Sequence, residues 1–379
     1  MERAGAIDPP ERGAVRVFLC GDVMTGRGID QALPHPGDPE LREAHVRSAL
    51  DYVRLAEWVS GAFPRPLAPA DIWGAALDVW RRMAPDVRLI NLETTVTTSD
   101  AFAPRGINYR MHPDNVPCLL ASGAQACALA NNHILDFGPA GLAETLDVLR
   151  RNGVRTAGAG RNLTEAREPA AVQVGRGRIL VHALAAGDSG VPAGWAAGRD
   201  NAGVDRISLT ETAARDVAAR IARERKPGDL AIVSIHWGSN WGYEVPQAHR
   251  RFAHALIDSG QVSIVHGHSS HHPRPMEVYR DRLILYGCGD FLNDYEGIAG
   301  REEYRGDLAP MYISDFDPES GALAALDLVP LQIRQFRLAR PSGDDAEWLR
   351  RTLDRESRKF GAAVVTGAAG RLALSWQRG

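Results

Sequence analysis

The sequence predicts an α/β fold in which parallel strands alternate with helices. Five short apolar runs, rich in β-branched residues, are bounded by Gly and polar residues, as buried strands are. Helical patterns lie between them, so the strands are expected to run parallel. In an open parallel sheet the carboxyl ends of the strands share one edge, where ligands bind. We therefore expect the polar clusters at these ends to converge: VRVFLCGD ending at Asp22, VRLINLE ending at Glu93, ACALANNH ending at His133, LAIVSIHWG containing His236, and VSIVHGHSSHH covering His266 to His272.

The first half of the chain supplies three of these strands and a long insertion. A lead over 1–14 is expected to be disordered, and strand 15–20 follows it. The insertion over 38–85 has two stretches of helical apolar spacing, separated by a Pro-rich segment. The next elements are strand 87–92, helix 113–122, strand 126–130, and a helix that begins near Pro139 and ends before Gly153.

The second half continues the alternation and ends in a helix. A Gly- and Ala-rich loop over 186–203 lacks periodicity and is expected to be mobile. One domain is expected over 15–340, with a C-terminal helical extension over 341–379 packed on its outside. The elements between them are three shorter strands before residue 186, helix 208–225, strand 230–235, helix 246–259, strands 262–266 and 283–287, and antiparallel strands within 320–339.

Composition and charge argue against several classes of protein. The chain is 44% hydrophobic and 24% charged, as globular proteins are, and its net charge of −3 does not favour nucleic-acid binding. The N-terminal segment lacks the apolar centre of a secretion signal, and no later run approaches ~18 apolar residues, so we expect a cytoplasmic protein without a membrane span. The scattered cysteines are expected to be small buried hydrophobic residues.

The polar clusters offer carboxylate, carboxamide and imidazole groups without a thiolate. This donor set is typical of a divalent metal site, here expected to hold two ions of Mn, Fe or Zn, and it indicates a hydrolytic enzyme. The strongest signal is HGHSSHH, because four imidazoles within seven residues are hard to explain by packing. Taken alone, the other residues also fit structural roles: a turn or cap for Asp22 and Glu93, a cap for Asn131 to His133, and a core hydrogen bond for His236.

Several segments together resemble the successive motifs of the CapA family, known for poly-γ-glutamate capsule biosynthesis. That family is similar in turn to the calcineurin-like metallophosphoesterases. The resemblance implies a metallophosphoesterase-like four-layer α/β sandwich. It is carried by GDVMTGR, NLE, ALANNHILDFGPAGLAETLDVLRRNGV followed by AGAGRN, SIHWG, and GHSSHHPRPMEVYRDRLILYGCGDF.

The resemblance also implies roles for individual residues. His133 resembles the histidine beside the nucleophile, which protonates a leaving group or stabilises developing negative charge. The metal ligands implied are Asp22 for one ion, Glu93 at the bridging position, Asn132 and His236 for the second ion, and a histidine pair in HGHSSHH, for which we select His268 and His271 while His266 and His272 stay open.

Three positions depart from the family patterns. Met24 stands where the phosphoesterases have a His two residues after the Asp, and Ser269 stands at the first His of the usual HPH. Glu93 replaces an Asp, which shifts the metal spacing. The first two departures support an alternative, a metal-poor binding or scaffold subunit.

Further candidates surround the predicted site. Arg27 and Arg110 follow the active edge and could clamp an anionic phosphate or carboxylate, although solvated surface positions are the alternative. Asp136 is expected either to fix the tautomer of His133 or to cap the next helix. Trp241 lies among Gly, Ser and Asn and is the candidate to line a substrate cleft.

The predicted function is a metal-dependent hydrolase that uses a metal-activated water on a phosphoester or a glutamate-type amide. Its partner would be an anionic small molecule or a glutamyl polymer. The resemblance suggests a second role, forming or transferring amide bonds in poly-γ-glutamate metabolism. The sequence has no GxxxxGKS loop, so a ligase that uses ATP alone is not expected. The sequence leaves the oligomeric state open.

Overall fold

Two β-sheets packed face to face form the centre of the protein, and helices pack on their outer faces. The computed structural model describes residues 13–377, so most of the lead expected over 1–14 lies outside the described residues. The order of helix, sheet, sheet and helix confirms the predicted four-layer α/β sandwich.

The first sheet has ten strands within the described residues and mixes parallel with antiparallel pairs. Val15–Leu19 runs parallel to Val87–Leu92 and antiparallel to Met311–Phe316. The other strands are Asp22–Val23, Ala126–Ala128, Arg155–Ala157, Asp290–Leu292, Leu323–Val329, Ala362–Thr366 and Leu372–Trp376.

The second sheet, with seven strands between residues 170 and 285, has a parallel centre. Gly177–Ala186, Leu230–His236 and Ile264–His268 lie side by side in that order. Ala170–Val174 pairs antiparallel with the first of these strands, and Met276–Tyr279 lies at the far edge, antiparallel to the strand next to Ile264–His268. The remaining strands are Arg206–Ile207 and Arg282–Leu285.

Alternation of side chains along the second sheet decides what faces the first sheet. In Gly177–Ala186, Ile179 and Val181 pack in the core shared by the two sheets, whereas Leu184 packs toward the outer helices. Leu230–His236 and Ile264–His268 alternate in the same way. The polar residues that this period turns toward the first sheet are Ser234, His236, His266 and His268.

Helices cover both sheets. Glu211–Glu224 and Gln247–Asp258 bury apolar side chains, among them Phe252, on the second sheet. On the first sheet, the ring of Trp80 lies 5.2 Å from that of Phe18, between centroids. The helices of the first layer and its loops are Gly28–Ala32, Leu50–Ser60, Ala75–Met83, Pro117–Ala121, Gly138–Arg151 and Leu163–Arg167.

The C-terminal segment over 341–379 is more than the expected helix. The helix Gly343–Ser357 is followed by the strands Ala362–Thr366 and Leu372–Trp376, which pair with each other. Leu372–Trp376 also pairs with Leu323–Val329, so this hairpin extends the first sheet. The apolar, β-branched run AAVVT suits a strand at the sheet edge because Ala362 and Val364 are buried, whereas Val365 and Thr366 are exposed.

Short elements form the remaining loops. The segment 38–85 contains the helices Leu50–Ser60 and Ala75–Met83, matching its two stretches of helical spacing. In the loop over 186–203, the Ser189 hydroxyl donates to the carbonyl of His236 at 3.0 Å. Across residues 13–377, no helix has both the length and the apolarity needed to cross a membrane. The small strands are Thr95–Val96, Arg110–Met111, Ala159–Gly160, Gly203–Val204, Gln332–Arg334 and Arg337–Ala339.

Candidate metal centre and active site

The five polar clusters meet at one edge of the sandwich, between the two sheets. Asp22 and Glu93 come from strand ends of the first sheet, whereas His236 and His268 end strands of the second. Asp22 Oδ1 lies 3.7 Å from His268 Nδ1, and Glu93 Oε1 lies 3.8 Å from His236 Nε2. The clusters therefore converge on the facing edges of two sheets, not along one parallel sheet as the sequence analysis assumed.

The histidines of the HGHSSHH segment have different surroundings. His266 has both ring nitrogens occupied, Nδ1 by the Ser234 hydroxyl at 3.0 Å and Nε2 by the Cys20 carbonyl at 2.7 Å. His268 contacts the same hydroxyl through Nε2 at 2.9 Å, and its Nδ1 lies 2.9 Å from His236 Nδ1. The buried His266 thus supports the site from behind, while His268 faces the carboxylates.

His271 and His272 point to other partners. The His271 ring, expected as a metal ligand, contacts Asp290 through Nδ1 at 3.0 Å and Asn240 through Nε2 at 3.0 Å. Burial disfavours the charged ring of His271, but the Asp290 carboxylate outweighs it and raises the pKa. His272 stacks on Trp241, with ring centroids 6.0 Å apart.

Three buried carboxylates share this edge. Asp22 accepts hydrogen bonds from Asn91 Nδ2 at 2.7 Å and from the backbone of Ser269 at 3.1 Å. Burial, followed by repulsion from Asp290, raises the pKa of Asp22 to about 7. Burial and the Asp22 charge likewise raise the pKa of Glu93 well above its usual range.

Asp290 was not predicted as a site residue, although it lies in the GCGDF segment that carries part of the family resemblance. Asp290 pairs with Asp22 in a parallel register between neighbouring strands, so the fold brings the two carboxylates together. Asn293 donates to Asp290 at 2.7 Å. A strand-terminal Asp after Gly was the available signal, but its proximity to Asp22 depends on tertiary pairing.

His133 is held by the residue that was expected to orient it. Its Nδ1 lies 2.6 Å from Asp136 Oδ2, and Asp136 also accepts from the backbone N–H of Tyr109 at 2.7 Å. His133 Nε2 lies 3.7 Å from Glu93 Oε1. Burial lowers the pKa of His133 and so favours the neutral ring. Its second nitrogen therefore faces the carboxylate cluster.

Asparagine side chains connect the ends of neighbouring strands of the first sheet. Asn131 Nδ2 donates to the Leu92 carbonyl at 2.8 Å and to Asn91 Oδ1 at 3.3 Å. Asn91, in turn, holds Asp22. Asn132 differs because its buried Oδ1 has no hydrogen-bond partner within residues 13–377.

The donor set fits a divalent cation. Ligand atoms of Asp22, His236 and His268 all lie within 4.8 Å of one another. Glu93 Oε2 is also buried without a hydrogen-bond partner in the described part of the chain, as is Asn132 Oδ1. Unsatisfied buried oxygens are costly unless something binds them. Carboxylate, carboxamide and imidazole ligands suit Mn, Fe and Zn.

Two of the residues that depart from the family patterns make identifiable contacts in the structure. Met24 is buried, and the Tyr295 hydroxyl lies 3.6 Å from its sulfur. Ser269 adopts a φ of 102°, an uncommon conformation for a residue with a side chain, and its backbone N–H donates to Asp22. Strained backbone of this kind is often found at functional sites.

The arginines expected to clamp an anion are engaged elsewhere. Arg27 is buried and pairs with Asp294 and with Glu43, at 2.8 Å from the latter. Arg110 Nη1 pairs with Asp100 at 2.6 Å and donates to the Ser99 carbonyl. Arg27 is thus neutralised inside the protein, whereas Arg110 pairs with a carboxylate at the surface.

A cleft of about 520 Å³ opens beside the site. Trp241 and His271 line it, with Asn293 and Tyr295 on the adjoining loop. The rings of Trp241 and His271 lie 5.5 Å apart, between centroids. Trp241 therefore lines a cleft beside His271, whose ring contacts the Asp290 carboxylate, and its role in substrate binding stays a prediction.

These features define a two-sheet α/β protein with a candidate metal centre at the sheet edge. The chain belongs to the family described as bacterial capsule synthesis protein PGA_cap, whose model matches residues 16–295. A probable polyglutamine synthesis accessory protein of Mycobacterium tuberculosis is 53% identical over 93% of each chain. The PGA biosynthesis protein CapA of Bacillus subtilis is 28% identical, over 73% of this chain and 62% of that protein.

Among solved structures, this chain is similar to a crystal structure described as a novel phosphatase of Mycoplasma pneumoniae. The alignment covers 86% of this chain and 95% of the phosphatase chain. The TM-score is 0.49, and the sequence identity is 12%.

Proposed function

We propose that this protein is a metal-dependent hydrolase with its active site at the shared edge of the two sheets. The observation that carries the proposal is the burial of Asp22, Glu93 and Asp290 in one cluster, where burial and repulsion raise the pKa of Asp22 to about 7. Divalent cations would relieve this repulsion by placing positive charge beside the carboxylates.

Asp22, His236 and His268 would hold one ion, since their ligand atoms already lie close together. Glu93 and Asn132 would supply oxygen ligands to a second ion, since each has a buried oxygen without a partner in residues 13–377. When bound, such ions supply Lewis-acid activation of water and of the bond under attack. Mn, Fe and Zn all suit these ligands.

His133 would move a proton during the reaction. Because Asp136 occupies Nδ1, the ring reaches the cluster through Nε2. In its neutral form, which burial favours, Nε2 accepts a proton from the attacking water; the same atom then delivers it to the leaving group. Asp136 fixes the tautomer and stabilises the protonated ring.

The family and the candidate site both support a proposal for the substrate class. A phosphoester or a glutamate-type amide would place an anionic group near the cations. The names of the relatives refer to capsule and polyglutamine synthesis, which supports a glutamyl polymer or a fragment of one as the substrate. We propose that the protein acts in the cytoplasm.

The same names favour a second candidate function, formation or transfer of amide bonds in polymer synthesis. A third candidate, a metal-poor scaffold subunit, draws on Met24 and Ser269, which stand where the family resemblance led us to expect histidines.

Turnover measurements separate these candidates. Purified protein, chelator-treated protein and protein reloaded with Mn, Fe or Zn would be assayed on phosphomonoesters, phosphodiesters and γ-glutamyl amides. The hydrolase proposal expects turnover that disappears with chelation, returns with metal and falls at least about a hundredfold in Glu93→Gln. Product that forms only when two glutamyl chains are supplied would favour amide transfer. Absence of turnover in every metal-loaded sample would count against an enzyme.

A further inference from the structure

Arg105 lies beside the candidate active site, although neither its spacing nor its motif distinguished it in the sequence. Its guanidinium donates to the backbone carbonyl of Asn132. Its Nη1 also lies 3.7 Å from Asp136 Oδ1. Asp136 holds His133, so Arg105 is next to the residue that would transfer the proton.

The charge of Arg105 is less neutralised than that of the other nearby arginines. Arg27 and Arg110 contact carboxylates at hydrogen-bonding distance, whereas the closest carboxylate to Arg105 is the shared Asp136 at 3.7 Å. Within residues 13–377, its guanidinium makes a hydrogen bond only to the Asn132 carbonyl. Its side chain keeps 22% of its surface exposed. Donors thus remain for a ligand arriving from solvent.

The surroundings hold the guanidinium in place. Arg105 stacks on the ring of Trp195, with Cζ 4.9 Å from the ring centroid. A Cβ at Gly190 would lie 4.0 Å from Arg105 Nη2 and 3.7 Å from Asn132 Nδ2. Both distances are ordinary van der Waals contacts, so Gly190 approaches both groups closely and presents no side chain to them.

We infer that Arg105 binds an oxyanion of the substrate, a phosphate or a carboxylate, through the guanidinium donors that face solvent beside Asn132. The planar guanidinium can donate two parallel hydrogen bonds to either group, which a lysine cannot reproduce. This inference rests on the proposed function, because it assigns a substrate-binding residue to the same site.

Binding of two probes tests the inference independently of turnover. Inorganic phosphate and glutarate would be titrated calorimetrically into metal-loaded wild type, Arg105→Ala and Arg105→Lys. We expect at least one probe to bind wild type, with affinity reduced about tenfold or more in Arg105→Ala and reduced also in Arg105→Lys. The probe that binds identifies the oxyanion. Added guanidinium should restore part of the affinity of Arg105→Ala.

The matched control is Arg371→Ala. Arg371 is similarly sheltered, with 15% of its side chain exposed, and pairs with Asp327 at 3.0 Å on the C-terminal hairpin side of the first sheet. The Arg371→Ala variant should bind both probes with the affinity of wild type. Equal affinity in wild type and Arg105→Ala, or no binding of either probe to wild type, would overturn the inference. A protein that binds through Arg105 without hydrolysing any substrate would instead refute the proposed function alone.

Discussion

His133 Nδ1 lies 2.6 Å from Asp136 Oδ2, and both side chains are buried. This geometry predicts unequal effects of two substitutions on turnover. His133→Ala should lower kcat by about 10²–10⁴-fold, since a positioned general acid or base contributes that much. Asp136→Asn should lower kcat by a smaller factor, about 10–100-fold, because the ring remains but its orientation is lost. Steady-state kinetics on the substrate found active would check both values.

Both variants should retain the metal content of wild type, since neither residue belongs to the Asp22, His236 and His268 group. Wild-type turnover by His133→Ala would remove His133 from the proposed mechanism.

Asp290, the strand neighbour of Asp22, should strengthen metal binding from outside the proposed ligand set. It raises the pKa of Asp22 through its negative charge and fixes His271. Asp290→Asn removes that charge, and we expect metal affinity to fall about 10–100-fold, as for other outer-sphere partners of metal ligands. Competition with a chelator would measure the change. Asp229→Asn, which alters a carboxylate paired with Arg178, serves as the control and should bind metal normally.

The pair of Arg27 and Asp294 should contribute to stability and not to substrate binding. Their side chains are 1% and 0% exposed, and Glu43 also contacts Arg27. Arg27→Met should lower the free energy of unfolding by about 3–5 kcal/mol, because it leaves the Asp294 charge buried and unpaired. Arg27→Met with Asp294→Leu should lower it less. Urea unfolding would test this order; a single variant as stable as wild type would contradict it.

His182 should make the protein sensitive to acid. It is buried, neither ring nitrogen has a hydrogen-bond partner within residues 13–377, and burial lowers its pKa to about 4. Between about pH 6.5 and 4 the unfolded chain binds a proton that the folded chain does not, so stability should fall by up to about 3 kcal/mol as the pH decreases through this window. Above pH 6.5 this residue should have no pH effect.

His182→Leu tests this origin of acid sensitivity. It should remove that part of the loss and raise stability at neutral pH by about 1–3 kcal/mol, because it replaces unsatisfied polar atoms with an apolar side chain. Urea unfolding at several pH values would measure both effects. The exposed His45→Gln should leave the profile unchanged. An unaltered acid slope in His182→Leu would assign the sensitivity to other groups.

Local pattern predicted the strands and the identity of the polar residues at their ends. The β-branched runs that lead to Asp22, Glu93 and His236 all form strands, because the alternation and burial of their side chains are encoded within each run. Nothing local could show that the strands divide between two sheets. The partner of Arg27 lies 267 residues away, so a loop arginine could not be recognised as a buried ion pair. Asp290 and Arg105 were missed for the same reason, since their neighbours are set by strand pairing and loop packing.

The central claim is that Asp22, His236 and His268 bind a divalent cation. Metal content by mass spectrometry after extensive dialysis tests it most directly, with wild type compared with the double variant Asp22→Asn with His268→Ala. We expect about one to two equivalents of Mn, Fe or Zn in wild type, as a mononuclear or dinuclear centre requires, and a loss of at least about one equivalent in the double variant, which removes two ligands of the first ion. Wild type that takes up no metal even after reloading, or a double variant with undiminished metal, would contradict it.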